Sequence, residues 1–136
     1  MCSSLSSCAQ GLCLAVGKVS RLALFEHPDE GDEDVIVRFN VQMPEGVKTL
    51  VGYTGIRDGA KITDGVDFEI RINGESVWQR NHDLPQWEKF DVDMTKYSGT
   101  TVVEFVTRKG KDNSSYDWAC WGEPAILLGQ SSNEAL

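Results

Sequence analysis

A two-residue turn between two extended segments constrains this chain more than any other feature. From Val66 to Ile72, apolar residues alternate with charged ones, and Asn73-Gly74 follows directly before a second extended segment. Asn and Gly tolerate the positive φ angles that a tight hairpin turn requires. The pattern therefore predicts a β-hairpin over residues 65–79.

The hairpin turn also fixes which side chains share a face. Counting outward from Asn73-Gly74 pairs Ile70 with Val77 on the core face and Glu69 with Trp78 on the other face. Trp78 is therefore predicted to stand away from the main core, where an exposed indole needs an explanation.

Short segments separated by turn residues fill the rest of the chain, and none has the period of a helix. Residues 34–44 alternate as a half-buried strand, whereas residues 101–108 carry apolar groups on both faces, as a central strand does. The segment 117–128 holds two tryptophans, a cysteine and an aliphatic run, and predicts a last strand that closes the core. Further strands are predicted at 19–25, 47–54 and 87–94. The predicted fold class is all-β: a single antiparallel β-sandwich with jelly-roll topology.

The chain length of 136 residues fits one domain with a single two-layer core. We assign residues 19–129 to the sandwich, 1–18 to a cysteine- and serine-rich leader that is either disordered or an added strand, and 130–136 to a polar tail. The leader holds only fragments of a secretory signal, because no basic residue precedes Lys18. No apolar run approaches the roughly 20 residues of a membrane-spanning helix, so a soluble protein without a membrane partner is expected.

Three of the four cysteines, Cys2, Cys8 and Cys13, lie in the leader. Such clustering does not make a disulfide framework, since a framework ties distant parts of a core together, and the spacing does not fit a zinc site. The fourth, Cys120, is expected to be a small buried apolar group.

Acidic residues dominate the charge balance, with 21 Asp and Glu against 13 Lys and Arg and a formal net charge of -8. A phosphate backbone would be repelled by this field, and no basic patch overcomes it, so nucleic acid is not an expected partner. The acidic run 29–34 is typical of a solvated loop. The alternative is a structural calcium site, for which Asp29, Asp32 and Asp34 are the weak candidates.

Several motifs in order resemble one family of sugar-binding domains. They are Phe25-Glu26-His27-Pro28, Gly55-Ile56, Val66-Asp67-Phe68-Glu69-Ile70, Phe90-Asp91-Val92-Asp93-Met94 and Asp117-Trp118-Ala119-Cys120-Trp121-Gly122-Glu123-Pro124. The last is similar to the Asp-x-Ala-x-Trp-Ala-Asp-Pro ending of NPCBM carbohydrate-binding modules, which are galactose-binding-like β-sandwiches grouped with sugar-binding family 51. The resemblance covers roughly residues 22–128 and implies a module without catalysis that docks on a glycan, often beside a glycoside hydrolase.

Sugar recognition requires an aromatic face for the apolar side of the pyranose and a few polar groups for its hydroxyls. The candidate aromatic platforms are Trp78, Trp87, Tyr116 and Trp118. The candidate polar partners are Arg80, Asn81, His82, Asp83 and Asp117. Trp118 is the favoured platform because Trp121, on the opposite face of the strand, is expected to take the core position. Trp87 has core packing as its alternative, and Asp117 has the capping of backbone amides.

Two other function classes stay open from the residues alone. An enzyme is disfavoured because no nucleophile, phosphate-binding or metalloprotease motif accompanies His27 and His82. Carboxylate pairs that could act on a glycoside are Asp91 with Asp93 and Asp64 with Asp67. The second class is a protein-interaction or self-associating domain, including a homodimer, which would bury outward apolar residues. Those residues are Ile36, Trp78, Val102 and Val106.

Overall fold

Nine strands form the described part of the chain in the computed structural model, which covers residues 11–16, 19–26, 34–56, 65–83, 86–109 and 119–129. They are β1 (Gly11–Val16), β2 (Val19–Glu26), β3 (Val35–Met43), β4 (Val47–Ile56), β5 (Val66–Ile72), β6 (Glu75–His82), β7 (Glu88–Asp93), β8 (Gly99–Lys109) and β9 (Ala119–Leu128). Within these ranges there is no helix, and so none of the length and apolarity that would cross a membrane.

Two antiparallel sheets make up the molecule, and the predicted all-β sandwich is confirmed. The five-stranded sheet has the order β1-β2-β9-β4-β7, and the four-stranded sheet has the order β3-β8-β5-β6. Strand β8, which the sequence predicts to be apolar on both faces, lies between β3 and β5. Strand β9, which is predicted to close the core, lies between β2 and β4. A strand with neighbours on both sides has no free edge, which suits its apolar composition.

Trp121 forms the centre of the core, as predicted, and its side chain is fully buried. Its ring lies 4.9 to 6.1 Å, between centroids, from four aromatic rings that come from both sheets. These neighbours are Phe68, Trp78, Phe90 and Phe105. The neighbouring Cys120 is buried, as expected for a small apolar group.

The hairpin turn is confirmed, but the predicted position of Trp78 is wrong. Asn73 and Gly74 have φ angles of 53° and 85°, as the turn requires. A β-bulge then inserts one extra residue, Val77, so that Ile70 pairs with Trp78 and the face of every later β6 residue changes. Trp78 consequently packs against the core, with its ring centroid 5.2 Å from that of Phe90.

The outer face of the four-stranded sheet departs from simple alternation. Val106 points outward on β8 and was a candidate for an interaction surface, yet its side chain is fully buried. Arginine and carboxylate side chains from β5, β8 and Asp34 cross β8 on the same face. They cover Val106, whereas Val102 is half-buried and Ile36 is 37% exposed.

Candidate functional site

One end of the sandwich, here the loop end, gathers strand termini from both sheets. Strands β2, β4, β6 and β8 finish there, and β3, β5, β7 and β9 begin there. The register shows this directly, since Glu26 and Ile56 both pair with Ala119, and Val66 pairs with both His82 and Lys109. Of the sequence-predicted site residues that the structure describes, all except Trp78 lie at this end, either in a strand terminus or next to one.

Five of the predicted residues lie outside the described part of the chain. They are Asp29, Asp32, Tyr116, Asp117 and Trp118. The last three directly precede β9, whose first residue, Ala119, lies at the loop end. Their contact with a ligand therefore stays a prediction, and Trp118 stays the favoured platform.

Arg80 and His82 lie between the sheets and not on the outer surface. His82 is 1% exposed, and its Nδ1 is 3.0 Å from Thr54 Oγ1. Arg80 Nη1 donates to the same Thr54 oxygen at 2.9 Å, which leaves the threonine hydroxyl proton available to His82. Arg80 also donates to the carbonyl oxygens of Glu88 and Lys89, joining β6 of one sheet to β4 and β7 of the other. Both residues thus connect the two sheets at the loop end, and contact of either one with a ligand stays a prediction.

The outer face of the four-stranded sheet carries a row of polar side chains at the loop end. Asp67 pairs across the sheet with Asn81 on one side and with Arg108 on the other, and we call these three residues the polar row. Asn81 Nδ2 donates to Asp67 Oδ1 at 2.8 Å. A cavity of about 330 Å³ opens at this row, lined by Asp67, Phe68, Gln79, Arg80, Asn81 and Arg108. Asn81 and Arg80 were predicted from the sequence as binding residues and Asp67 only as half of a carboxylate pair, whereas Gln79 and Arg108 were not predicted.

An ion-pair cluster of Asp34, Glu69, Arg71 and Arg108 extends from the polar row. Arg108 donates from Nε to Asp34 Oδ1 at 2.9 Å and from Nη2 to Glu69 Oε1 at 2.6 Å. Arg71 Nη2 donates to Asp34 Oδ2 at 2.9 Å, and Arg71 Nε donates to Glu69 Oε2 at 3.1 Å. Each carboxylate therefore bonds to two guanidinium groups.

The ion-pair cluster keeps both of its carboxylates ionised. Hydrogen bonds from Arg108, and then from Arg71, lower the pKa of Asp34 below its usual value despite partial burial. Burial raises the pKa of Glu69, but hydrogen bonds from Arg71 and Arg108 outweigh it, so the net shift is also downward. Because both oxygens of Asp34 accept from arginine, this candidate calcium ligand is already engaged. Across the described ranges, no three His, Cys, Asp or Glu side chains are grouped to hold a metal ion.

A pair of aromatic rings lies at the loop end of the five-stranded sheet. Trp87, just before β7, packs edge-on against Tyr53 of β4 with ring centroids 6.5 Å apart. Both side chains are half-buried, so Trp87 is neither a core residue nor fully exposed. Asp83, which follows β6, is exposed. Tyr53 was not among the sequence candidates, although its position in β4, one residue from Thr54, places it at the same end.

A protein-family model adds the decisive observation. The model of the NPCBM/NEW2 domain matches residues 35–127, more than half of the chain. The chain belongs to the NPCBM/NEW2 domain family. An uncharacterized protein of Archaeoglobus fulgidus is 32% identical to this NPCBM domain over 122 residues, which cover 78% of the chain and 30% of that protein. The chain thus spans less than a third of the length of this relative.

Solved structures with the same fold include CBM51 modules. The CBM51 of Clostridium perfringens GH95, in complex with methyl-galactose, has a TM-score of 0.64 at 14% identity and covers 86% of this chain and 80% of that one. The tandem CBM51 modules of a Streptococcus pneumoniae family 98 glycoside hydrolase give 0.63 at 14% identity, over 91% of this chain and 37% of that one. At such identity the likeness shows the fold alone, an antiparallel β-sandwich of two sheets, as the sequence predicted.

Proposed function

We propose that this NPCBM domain binds a glycan at the loop end and catalyses no reaction. The observation that carries the proposal is the topology, because the three connections that hold the candidate residues, β2–β3, β6–β7 and β8–β9, all join strands at one end of the sandwich. Binding sites that use loops positioned by a rigid scaffold are common on sandwiches. Family membership supports the same function, since the CBM51 of Clostridium perfringens GH95 holds methyl-galactose on this fold.

Aromatic and polar groups have separate roles in the proposed site. Trp118 and Tyr116 stack on the apolar face of a sugar ring, and Trp87 extends that aromatic surface. Asn81, Asp83 and Asp117 bind hydroxyl groups. Trp78 has an indirect role: its ring lies 4.8 Å below the Arg80 guanidinium, which holds the end of β6 in place.

A glycan-array screen of the purified protein, with and without calcium, tests the proposal. We expect binding by the native chain, and a loss of about tenfold or more in Trp118→Ala because a stacked aromatic platform disappears. The matched control is Trp87→Ala, which removes an indole at the rim and should weaken binding less. If the protein is folded but binds no glycan on the array, the result would contradict sugar binding. A binding signal that calcium creates would favour an ion held by residues 29–34.

Catalysis is the alternative that the geometry supports least. His82 is buried, and Asp93 Oδ1 accepts hydrogen bonds from the backbone N–H and the hydroxyl of Thr95, at 2.9 and 2.7 Å. We expect no turnover when the purified chain is incubated with a panel of aryl glycosides. Turnover that Asp91→Asn or Asp64→Asn abolishes would make the chain a glycan-acting enzyme.

We also propose an extracellular or periplasmic location, as the sugar-binding role of the family implies, and fractionation of the native host would test it.

A further inference from the structure

We propose that the polar row of Asn81, Asp67 and Arg108 contacts sugar hydroxyls and selects glycans without acidic groups. This inference rests on the proposed sugar-binding function and names a surface and a ligand class for it. The row lies on the outer face of the four-stranded sheet, so it extends the site beyond the connecting loops.

Hydrogen-bonding capacity remains unused along the row. Asp67 Oδ1 accepts from Asn81 Nδ2, whereas Asp67 Oδ2 and Asn81 Oδ1 accept no bond from the described residues. Arg108 uses Nε and Nη2 on Asp34 and Glu69, and its Nη1 makes no bond within the same part of the chain. The row thus offers two acceptors and one donor side by side. Neighbouring sugar hydroxyls, each of which donates and accepts, match this set.

The row is also held in place before any ligand binds. Two carboxylates fix the Arg108 guanidinium, and the Asn81 amide lies between Asp67 and the backbone of Gly65. A Cβ at Gly65 would lie 3.0 Å from Asn81 Oδ1, and the φ of +98° there suits only glycine. Fixed groups lose little conformational freedom on binding, and the cavity volume of about 330 Å³ falls at the lower end of small-ligand sites.

The charges around the row disfavour an anion. The ionised side chains at the row, its cavity and the adjoining ion-pair cluster are four carboxylates, from Asp34, Asp67, Glu69 and Asp83, and three guanidinium groups, from Arg71, Arg80 and Arg108. The local excess is one negative charge, and the whole chain has the same sign at -8. A carboxylated or sulfated sugar would approach against this field, whereas a neutral hexose would not.

The test compares one neutral glycan from the array with its sialylated counterpart, using Asp67→Asn, Asn81→Ala and the control Asp91→Asn. Asp91 is exposed on β7 of the other sheet, so its variant loses the same charge away from the row. We expect native protein to bind the neutral glycan at least tenfold more tightly than the sialylated one. Asp67→Asn and Asn81→Ala should each lose about tenfold for the neutral glycan, as expected for a lost hydrogen bond to a charged or fixed polar group.

The ratio of the affinity for the neutral glycan to the affinity for the sialylated glycan distinguishes an electrostatic effect from the loss of a hydrogen bond. Asp67→Asn should reduce the preference for the neutral glycan about fivefold because it removes a negative charge, whereas Asn81→Ala and Asp91→Asn should leave the ratio unchanged. Native preference for the sialylated glycan would overturn the selection. If both row variants bind as native protein does while Trp118→Ala does not bind, the row proposal is wrong and sugar binding stands. If native protein binds neither glycan nor any other on the array, both proposals fail.

Discussion

At the scale of single residues, Trp121 connects the two sheets more than any other side chain. It contacts Phe105 and Phe68 of the four-stranded sheet, at 4.9 and 5.0 Å between centroids, and Phe90 of the five-stranded sheet at 5.7 Å. We expect Trp121→Ala to lower the free energy of unfolding by about 3 to 5 kcal/mol, because a large cavity opens between the sheets. Urea unfolding followed by circular dichroism measures the loss, if the variant still folds.

The matched control for this core prediction is Trp87→Ala. Its half-buried indole contacts Tyr53 at the rim, so the variant should lose only about 1 kcal/mol. Equal losses in the two variants would mean that Trp121 is not the centre of the core.

The ion-pair cluster predicts how stability depends on pH. The folded-state pKa values of Asp34 and Glu69 lie below their usual values of 3.8 and 4.5. A lowered carboxyl pKa means that the folded state binds fewer protons than the unfolded state in acid. We therefore expect the contribution of the cluster to be complete above about pH 5 and to be lost progressively as the pH falls through the folded pKa values. Urea midpoints from pH 7 to pH 3 measure this loss.

A charge-removing variant shows whether the cluster causes that acid sensitivity. Arg108→Gln removes the strongest partner of Asp34, so its stability should be lower at pH 7 and should fall less steeply below pH 4.5 than that of native protein. Lys89→Gln removes an exposed cation from β7 and should keep the native slope. Parallel curves for Arg108→Gln and native protein would assign the acid sensitivity to other carboxylates.

At the scale of elements, the β5–β6 hairpin depends on Asn73 for two separate reasons. Asn73 holds a φ of 53°, and its side-chain Oδ1 accepts from Val102 N of β8 at 2.9 Å. We expect Asn73→Gly to lose about 1 kcal/mol, since glycine keeps the turn but not the hydrogen bond. Asn73→Ala loses the bond and also strains the turn, so about 2 kcal/mol should be lost. Chemical denaturation separates the two, and equal losses would show that backbone strain contributes nothing.

The strands were largely predictable from the sequence because their causes are local. Alternation and turn residues indicated β3, β4, β5, β7, β8 and β9 within a few residues of their observed bounds. The bulge at Val77 was not predictable, because valine fits a regular strand as well as a bulged one, and the miss reversed the orientation of Trp78. The ion-pair cluster was not predicted from the sequence, for a different reason. Asp34, Glu69 and Arg108 meet only through the register of β3, β8 and β5, which no local pattern encodes.

At the scale of the whole molecule, the sandwich separates stability from recognition. Aromatic packing between the sheets fixes the scaffold, while the loop end collects polar groups from both sheets. The sequence indicated the residues near β6 and β9 as site candidates because polar loops and tryptophans are visible locally. Asp67 and Arg108 lie on strands, and only the sheet order shows that they flank Asn81.

The distribution of exposed apolar side chains over the whole molecule bears on whether the chain is a sugar module or a self-associating domain. Three large apolar side chains are exposed among the described residues: Ile36 at 37%, Leu127 at 48% and Leu128 at 57%. Ile36 lies on the four-stranded sheet and the two leucines end β9 of the other sheet, whereas a stable dimer buries about 800 Å² per partner in one patch. We therefore expect size-exclusion chromatography with light scattering to give a 15.1 kDa monomer at tens of micromolar protein. The double variant Leu127→Ser and Leu128→Ser should elute identically. A native dimer that this variant dissociates would place the interface at the end of β9 and favour the self-associating domain.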